Sequence, residues 1–194
     1  ALVFLFTCYF QQQSFATITG VTSELQSDVV GHYLFNGDLT DLSGNSYNGT
    51  GYGSLVLTDD RFGNSNSAYD FSGDEYIYFG DSMLNSFSSD QFDFSISFWA
   101  KSSSTAQRAI VAFGQSNGLY TGMITRFFSS KISFNASNRG FDTSTTKASD
   151  GNWHHYVLTY DHVSDTQKIR RLYIDGVLVG TKDQSPCFRI QDKG

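Results

Sequence analysis

The chain has 194 residues, of which 18 are Phe, 11 are Tyr and one is Pro, and its formal net charge is -6. This length predicts one domain with a large buried core, and the negative charge argues against nucleic acid and anionic membrane surfaces as partners. Aromatic runs separated by Gly, Ser, Asn, Asp and Thr are typical of many short strands joined by tight turns.

The first residues have the character of a secretory signal. Leu2–Phe10 is an apolar run that is too short to span a bilayer and suits the hydrophobic region of a signal peptide. Ser14 and Ala16 supply small residues at the positions that a signal peptidase reads. We therefore expect residues 1–16 to be a signal peptide truncated at its start, residues 17–28 to be a leader, and the mature protein to be secreted or at the cell surface. The alternative is that the apolar run forms a buried first strand.

The clearest periodicity lies in residues 92–101, which read FDFSISFWAK. Apolar side chains recur there at every second position, which predicts a half-buried antiparallel strand. The residues expected to face the core are Phe92, Phe94, Ile96, Phe98 and Ala100. A first strand of the domain is predicted at Val30–Asn36, with Tyr33 and Phe35 on one face. Short strands without a sustained helical period predict an antiparallel β-sandwich.

The C-terminal part contains a strand followed by a hairpin signal. Trp153–Asp161 is rich in aromatic and β-branched residues, which favours a strand. Asp175 and Gly176 separate two further apolar runs, and an Asp-Gly pair is typical of a type I′ turn because both central residues need positive φ. The predicted cross-strand pairs are Ile174 with Val177, Tyr173 with Leu178, and Leu172 with Val179.

Several blocks of the sequence resemble the laminin-G-like domain of the concanavalin A-like lectin/glucanase superfamily. In chain order they are YLFNGDLTDLSGNSYNGT, DRFGNSNSAYDFSGDEYIYF, FDFSISFWAK, and NWHHYVLTYD followed by LYIDGVLVG. The resemblance implies that residues 29–194 form an all-β antiparallel β-sandwich, a concanavalin A-like jelly roll. The family continues past the hairpin with two or three strands, which residues 185–194 do not match. We therefore expect this sandwich to lack its C-terminal closing strands.

The superfamily includes glucanases, whose retaining members hold two carboxyl groups about 5–5.5 Å apart. This chain contains only Glu24 and Glu75, and neither lies in the E-x-D-x-x-E motif of laminarinase-like relatives. His154 and His155 are adjacent in a predicted strand, so they point to opposite faces and do not converge on one site. We expect no catalytic residues and no enzyme activity. The alternative is a glycoside hydrolase or the accessory domain of one.

Turn-rich loops supply oxygen ligands of the kind that calcium prefers. Asp41 and Asn45 lie in one such loop, and Asp74 lies in another. A resemblance to pentraxins, which belong to the same superfamily, implies that Asp74 is near a calcium-ligating loop. We expect calcium as a cofactor at these three residues, with the alternative that turn formation alone accounts for them.

Carbohydrate recognition needs an aromatic surface for the apolar face of a sugar, with polar side chains around it. The candidate ligand-binding residues are Trp99, Tyr120, Arg126 and Tyr173. The alternative is that the aromatic residues belong to the core, because such side chains bury large areas.

The resemblance implies a non-catalytic carbohydrate-binding or adhesion module of a larger secreted protein. The expected partners are a glycan or an extracellular protein and other domains of the same polypeptide, without insertion of the mature domain into a membrane. A purely structural spacer in an adhesin is a further alternative. Asn48 and Asn135 begin Asn-x-Thr/Ser sequons, which matter only if the source is eukaryotic.

Overall fold

The computed structural model describes residues 2–5, 29–85, 93–114, 122–128, 130–136, 139–164 and 167–183. Contacts divide the chain into two compact units, Val3–Ser86, and Phe87–Gly194 together with Ala1–Leu2. The elements are β1 (Leu2–Leu5), β2 (Thr50–Tyr52), β3 (Val56–Thr58), β4 (Ala68–Phe71), β5 (Tyr76–Tyr78), α1 (Asp81–Asn85), β6 (Phe94–Ser102), β7 (Arg108–Gly114), β8 (Gly122–Phe128), β9 (Lys131–Ala136), β10 (Arg139–Ser144), a 3-10 turn (Thr146–Ala148), β11 (His154–Ser164), β12 (Gln167–Ile174) and β13 (Val177–Asp183).

Strand β1 lies within the predicted signal peptide, and its four residues do not decide between a signal peptide and a buried first strand. The rest of residues 1–16, and the leader at 17–28, lie outside the described residues. Cleavage after Ala16 stays a prediction. In the part of the chain that the structure describes, no helix is long and apolar enough to cross a membrane.

The unit Val3–Ser86 contains two antiparallel strand pairs, β3 with β4 and β2 with β5. Its core includes Tyr33 and Phe35, which are 1% and 2% exposed and stack with ring centroids 5.9 Å apart. The two rings therefore lie in the same buried cluster. The prediction of a strand at Val30–Asn36 is wrong, because Phe35 has a φ of 58°, in the left-handed region that an extended strand does not use.

The unit formed mainly by Phe87–Gly194 contains two antiparallel four-strand groups. Their strand orders are β13-β12-β11-β6 and β10-β9-β8-β7. Ile96, Phe98 and Ala100 are buried on the inner face of β6, as their alternation predicted. Phe94 is half-buried and stacks on Tyr160 with centroids 5.2 Å apart. The remaining predicted core residue of this strand, at position 92, lies outside the described residues.

The two four-strand groups pack against each other through aromatic rings. Phe127 of β8 contacts Tyr156 of β11, with ring centroids 5.2 Å apart. Arg170 of β12 is 3% exposed, and its Nη1 donates to the carbonyl oxygen of Phe134 in β9 at 3.2 Å. Contacts between facing sheets of this kind define a β-sandwich. The all-β antiparallel fold predicted from the sequence is confirmed. The expected loss of the closing strands depends on residues 184–194, which lie outside the described residues.

The β12–β13 hairpin turns at Asp175 and Gly176, whose φ values are 52° and 79°. Two positive φ values are those of a type I′ turn, as the Asp-Gly pair predicted. The pairs of Ile174 with Val177 and of Tyr173 with Leu178 are confirmed. The third predicted pair is wrong: Leu172 lies opposite Gly180 rather than Val179, because a bulge places an extra residue in β13.

Candidate functional site

The two-stranded sheet of β2 and β5 presents a row of exposed aromatic side chains. Tyr52 lies directly opposite Tyr76, and Thr50 lies directly opposite Tyr78. Because alternate residues of a strand point to the same side, these four residues share one face, which we call the tyrosine face. Tyr52, Tyr76 and Tyr78 are 43%, 53% and 41% exposed. Large aromatic residues are usually buried, so three exposed rings on one face mark a candidate binding surface.

The rings of the tyrosine face are held in defined positions. Tyr52 and Tyr76 stack with ring centroids 4.7 Å apart and an interplanar angle of 6°. The hydroxyl of Tyr78 donates a hydrogen bond to Asp81 Oδ1 at 2.6 Å. That bond to the carboxylate raises the pKa of Tyr78, so the phenol stays neutral. The face therefore carries aromatic area, hydroxyl groups and one carboxylate in a fixed arrangement.

The opposite side of this small sheet packs closely on apolar residues. A Cβ added at Gly49 would lie 2.8 Å from Ile77 Cγ2 and 3.1 Å from Leu39 Cβ. A Cβ added at Gly51 would overlap the side chain of Leu55. Glycine at these two positions of the segment Asn48–Gly53 lets the strand lie close to its apolar support. The backbone beneath the tyrosine face is thereby fixed.

A family comparison identifies the domain. The family model that matches the chain is described as the concanavalin A-like lectin/glucanases superfamily, within the laminin-G group, and the match covers residues 71–192. The chain belongs to this superfamily. Searches of curated proteins and of solved structures gave no match. The match to the laminin-G-like domain includes Tyr76 and Tyr78 and begins after Tyr52, so the tyrosine face lies partly outside it.

The predicted ligand-binding residues of the laminin-G-like domain do not form one site. Trp99 and Tyr173 alternate with buried Phe98 and Leu172, so they lie on the outer face of the sheet containing β6 and β12. Arg126 alternates with buried Phe127 in β8, so it lies on the outer face of the other sheet. The fourth residue, Tyr120, lies outside the described residues. The expectation that Arg126 and these aromatic residues surround one ligand is corrected, because a sandwich separates its two outer faces.

Trp99 is half-buried and stacks on His155 with ring centroids 5.2 Å apart. His155 Nε2 lies 2.7 Å from Ser97 Oγ, on the same outer face. His154 lies on the face of Tyr156, and their ring centroids are 6.4 Å apart. The prediction that the two histidines point to opposite faces is confirmed, and so is its consequence that they do not converge on one site.

A cluster of charged side chains surrounds His154 in the laminin-G-like domain. His154 Nδ1 lies 2.8 Å from Asp175 Oδ2, and its Nε2 lies 3.1 Å from Asp150 Oδ2. Lys147 Nζ donates to the same Asp175 oxygen at 2.5 Å, and the backbone N–H of His155 donates to Asp175 Oδ1 at 3.0 Å. Burial alone would raise the pKa of Asp175, but these donors lower it to about 2. The cluster attaches the hairpin turn to β11.

Asp41, a predicted calcium ligand, is 7% exposed and already accepts four hydrogen bonds. Its Oδ1 accepts from the backbone N–H groups of His32 and Ser43, both at 2.9 Å. Its Oδ2 accepts from Ser43 Oγ at 2.8 Å and from the backbone N–H of Tyr47 at 3.0 Å. This pattern favours the alternative interpretation of Asp41 as a turn-forming residue.

The other two predicted calcium ligands lie in the expected loops. Asn45 Nδ2 donates to the carbonyl oxygens of Val29 and Val30 at 3.0 and 3.1 Å, and Asp74 is exposed in the turn before β5. Among the described residues, no group of three or more His, Cys, Asp or Glu side chains is arranged to hold a metal ion. Backbone carbonyl and Asn oxygens also bind calcium, so the calcium site stays a prediction.

Sequence reasoning missed the tyrosine face, although a signal for it exists. Tyr76 and Tyr78 flank Ile77, an alternation that places both tyrosines on one side of a strand. The sequence does not show that Tyr52 stands opposite them, or that this side is exposed. The cluster around His154 has a weaker signal, because Asp150 is near His154 in sequence but Asp175 reaches it only through the pairing of β11 with β12.

Proposed function

We propose that this laminin-G-like domain is a non-catalytic glycan-binding module and that the tyrosine face is its sugar-binding surface. The observation that carries the proposal is the exposure of Tyr52, Tyr76 and Tyr78 on one face of the β2–β5 sheet. A pyranose ring has an apolar face of C–H groups, and it loses contact with water when it packs on an aromatic ring.

The polar groups of the tyrosine face suit the edge of a sugar. Sugar hydroxyl groups both donate and accept hydrogen bonds, and the neutral phenols and the hydroxyl of Thr50 do the same. The Asp81 carboxylate is a strong acceptor at one end of the face. Because the stacked rings of Tyr52 and Tyr76 are already ordered, little side-chain entropy is lost on binding.

The absence of catalysis in this proposal rests on the glutamates of the chain. Glu75 Oε2 accepts a hydrogen bond from the backbone N–H of Gly73 at 2.7 Å, which gives it a role in the turn before β5. The only other glutamate, Glu24, lies outside the described residues. Retaining glycosidases need a pair of carboxyl groups about 5–5.5 Å apart. Hydrolysis of a β-glucan that stops in the Glu75→Gln variant would show that the hydrolase alternative is right.

The proposal is tested by screening the full chain on a glycan array and then titrating a bound oligosaccharide by calorimetry. Tyr76→Ala should weaken binding about tenfold, because it removes one stacking ring. The matched control is Tyr173→Ala, which removes a tyrosine from the outer face of the large sheet. Melting curves establish that both variants are folded.

Equal binding by the native chain and Tyr76→Ala, with loss of binding in Tyr173→Ala, would move the site to the face of Trp99 and Tyr173. An array without any signal would favour the structural spacer in an adhesin.

The proposal includes a location outside the cell, as one module of a larger secreted protein. It is supported by the apolar run Leu2–Phe10, which has the length and hydropathy of a signal peptide. A glycan or an extracellular protein is the partner that fits such a location. Fractionation of the native host, followed by detection of the protein in the medium or on the cell surface, tests this part separately.

A further inference from the structure

The charges of this protein are divided unevenly along the chain. Of its 19 acidic residues 12 lie in residues 1–100, and of its 13 basic residues 12 lie in residues 101–194. The single basic residue of the first part is Arg61, whose guanidinium lies 4.1 Å from the centroid of the Phe62 ring. The segment that carries the tyrosine face is therefore strongly acidic, although the net charge of the whole chain is only -6.

One carboxylate stands beside the tyrosine face, and two further acidic residues precede Tyr76 in the chain. Asp81 Oδ1 accepts the hydrogen bond from the Tyr78 hydroxyl at 2.6 Å. Asp74 and Glu75 add to the negative charge of this segment, and the Glu75 carboxylate accepts a hydrogen bond from the backbone N–H of Gly73 in the turn before β5. The aromatic rings themselves present negative potential above their faces. All of these groups attract a cation and repel an anion.

We propose that the glycan bound at the tyrosine face is an amino sugar polymer that carries free amines. This inference rests on the proposed function, and it adds the charge of the ligand. An ammonium group on the sugar ring gains a cation–π contact with a tyrosine and a Coulomb contact with Asp81, while the C–H face of the sugar packs on the neighbouring ring. Sulfated and uronic acid glycans are rejected by the same carboxylates.

A sugar with free amines fits better than a basic peptide for two reasons. The domain belongs to a lectin/glucanase superfamily, and the exposed rings of Tyr52, Tyr76 and Tyr78 offer apolar area as well as negative potential. A basic peptide uses the charge, but it has no rigid apolar ring face to pack on those rings. The peptide is therefore an outcome of the test.

The test uses two oligosaccharides with the same backbone and different charge, at low ionic strength and at a pH where the amines are protonated. They are a β-1,4-linked glucosamine hexamer and its fully N-acetylated form, titrated into the full chain by calorimetry. The amine form should bind about five- to tenfold more tightly, and this preference should fall in 0.5 M salt, where screening is strong.

Matched variants test whether the preference for the amine form arises at the tyrosine face. Asp81→Asn keeps an acceptor for the Tyr78 hydroxyl, removes the charge, and should weaken amine binding about two- to fivefold. Asp59→Asn makes the same charge change at an exposed position beyond the end of β3 and should leave binding unchanged. An equal effect of the two variants would refute a specific role for the face, because the field of the whole segment would then account for binding.

The outcomes separate this inference from the proposed function. If the N-acetylated hexamer binds as tightly as the amine form, and Tyr76→Ala weakens both, the charge preference is refuted while glycan binding at the tyrosine face stands. If neither hexamer binds and a glycan array is also silent, the proposed function fails as well. If pentalysine binds and Tyr76→Ala abolishes that binding while the hexamers do not bind, the ligand is a basic peptide.

Discussion

Replacing Asp41 with Asn tests how much one buried carboxylate stabilises the loop that precedes the tyrosine face. The two carboxylate oxygens of Asp41 accept hydrogen bonds from His32, Ser43 and Tyr47 at distances of 2.8–3.0 Å. Burial alone would raise the pKa of Asp41, but these donors hold it below its usual value. The folded state therefore stabilises the ionised form.

The expected cost follows from the donors that Asn cannot satisfy. Asn keeps Oδ1 for the N–H groups of His32 and Ser43, but its amide nitrogen replaces Oδ2 and faces the N–H of Tyr47. The hydroxyl of Ser43 has a second acceptor in the carbonyl oxygen of Val30 at 3.2 Å. Losing the hydrogen bond from this hydroxyl to Asp41 Oδ2 therefore costs little. One lost charge-assisted bond and one unsatisfied donor cost about 2–4 kcal/mol of unfolding free energy. In a protein of this size that lowers the melting temperature by about 10 °C.

Thermal unfolding, followed by circular dichroism, measures the effect. The matched control is Asp38→Asn, because Asp38 is exposed in the same loop and accepts one hydrogen bond, from the N–H of Thr40 at 2.9 Å, which Asn also accepts. The control should change the unfolding free energy by less than about 0.5 kcal/mol. An Asp41→Asn variant as stable as the control would refute the reasoning.

The pH dependence of the Asp41 effect has a defined sign. A carboxylic acid whose pKa is lowered by folding contributes stability above its unfolded pKa, which is about 3.9 for Asp. That contribution is lost as the pH falls through the lower folded value. The stability difference between the native chain and Asp41→Asn should therefore be constant near neutral pH and shrink in acid.

Four further outcomes are expected. Phe98→Ala should lower the unfolding free energy by about 3–5 kcal/mol, because Phe98 is 0% exposed. Phe62→Ala should lower it by less than about 0.5 kcal/mol, because Phe62 is 71% exposed. Equal losses for the two variants in urea unfolding would contradict the assignment of the core. Asp175→Asn keeps a turn-forming residue and should lower the melting temperature at neutral pH. The difference in melting temperature between the native chain and this variant should disappear as the pH falls through about 2, the pKa of Asp175. A difference that is the same at all pH values would contradict a role for the ionised Asp175 carboxylate. If calcium binds, a chelator should lower the melting temperature, whereas no change, with no calcium in elemental analysis, would remove that prediction. Mass spectrometry of the secreted protein should give an N-terminus near Thr17, and a chain that retains Leu2–Phe10 would overturn the signal peptide.

The sequence by itself determined the buried side of β6 and the main turn of the larger unit. The alternation in Phe94–Lys101 predicted which side of β6 is buried, because side chains of a strand point to its two faces in turn. Asp175 and Gly176 predicted a type I′ turn, because these residue types tolerate the positive φ that the turn requires. Both are local properties of the chain, and both were correct.

Register and strand bounds were less predictable where contacts with distant residues decide them. The bulge in β13 moves Gly180 opposite Leu172, which alternation alone does not show. Phe35 takes a left-handed φ within the segment predicted to be the first strand. Its ring reaches the buried cluster with Tyr33 and Tyr69, so packing overrides the extended preference of the segment.

Only the tertiary structure decided which aromatic residues are exposed and which polar residues stand beside them. Trp99 and Tyr173, the candidates from the sequence, lie on the outer face opposite to that of Arg126, because their sheets form the two layers of a sandwich. Tyr52 and Tyr76 are far apart in sequence and stack because β2 pairs with β5. An alternating pattern specifies that a strand has two different faces, but the elements that pack against the strand determine which of those faces meets the solvent.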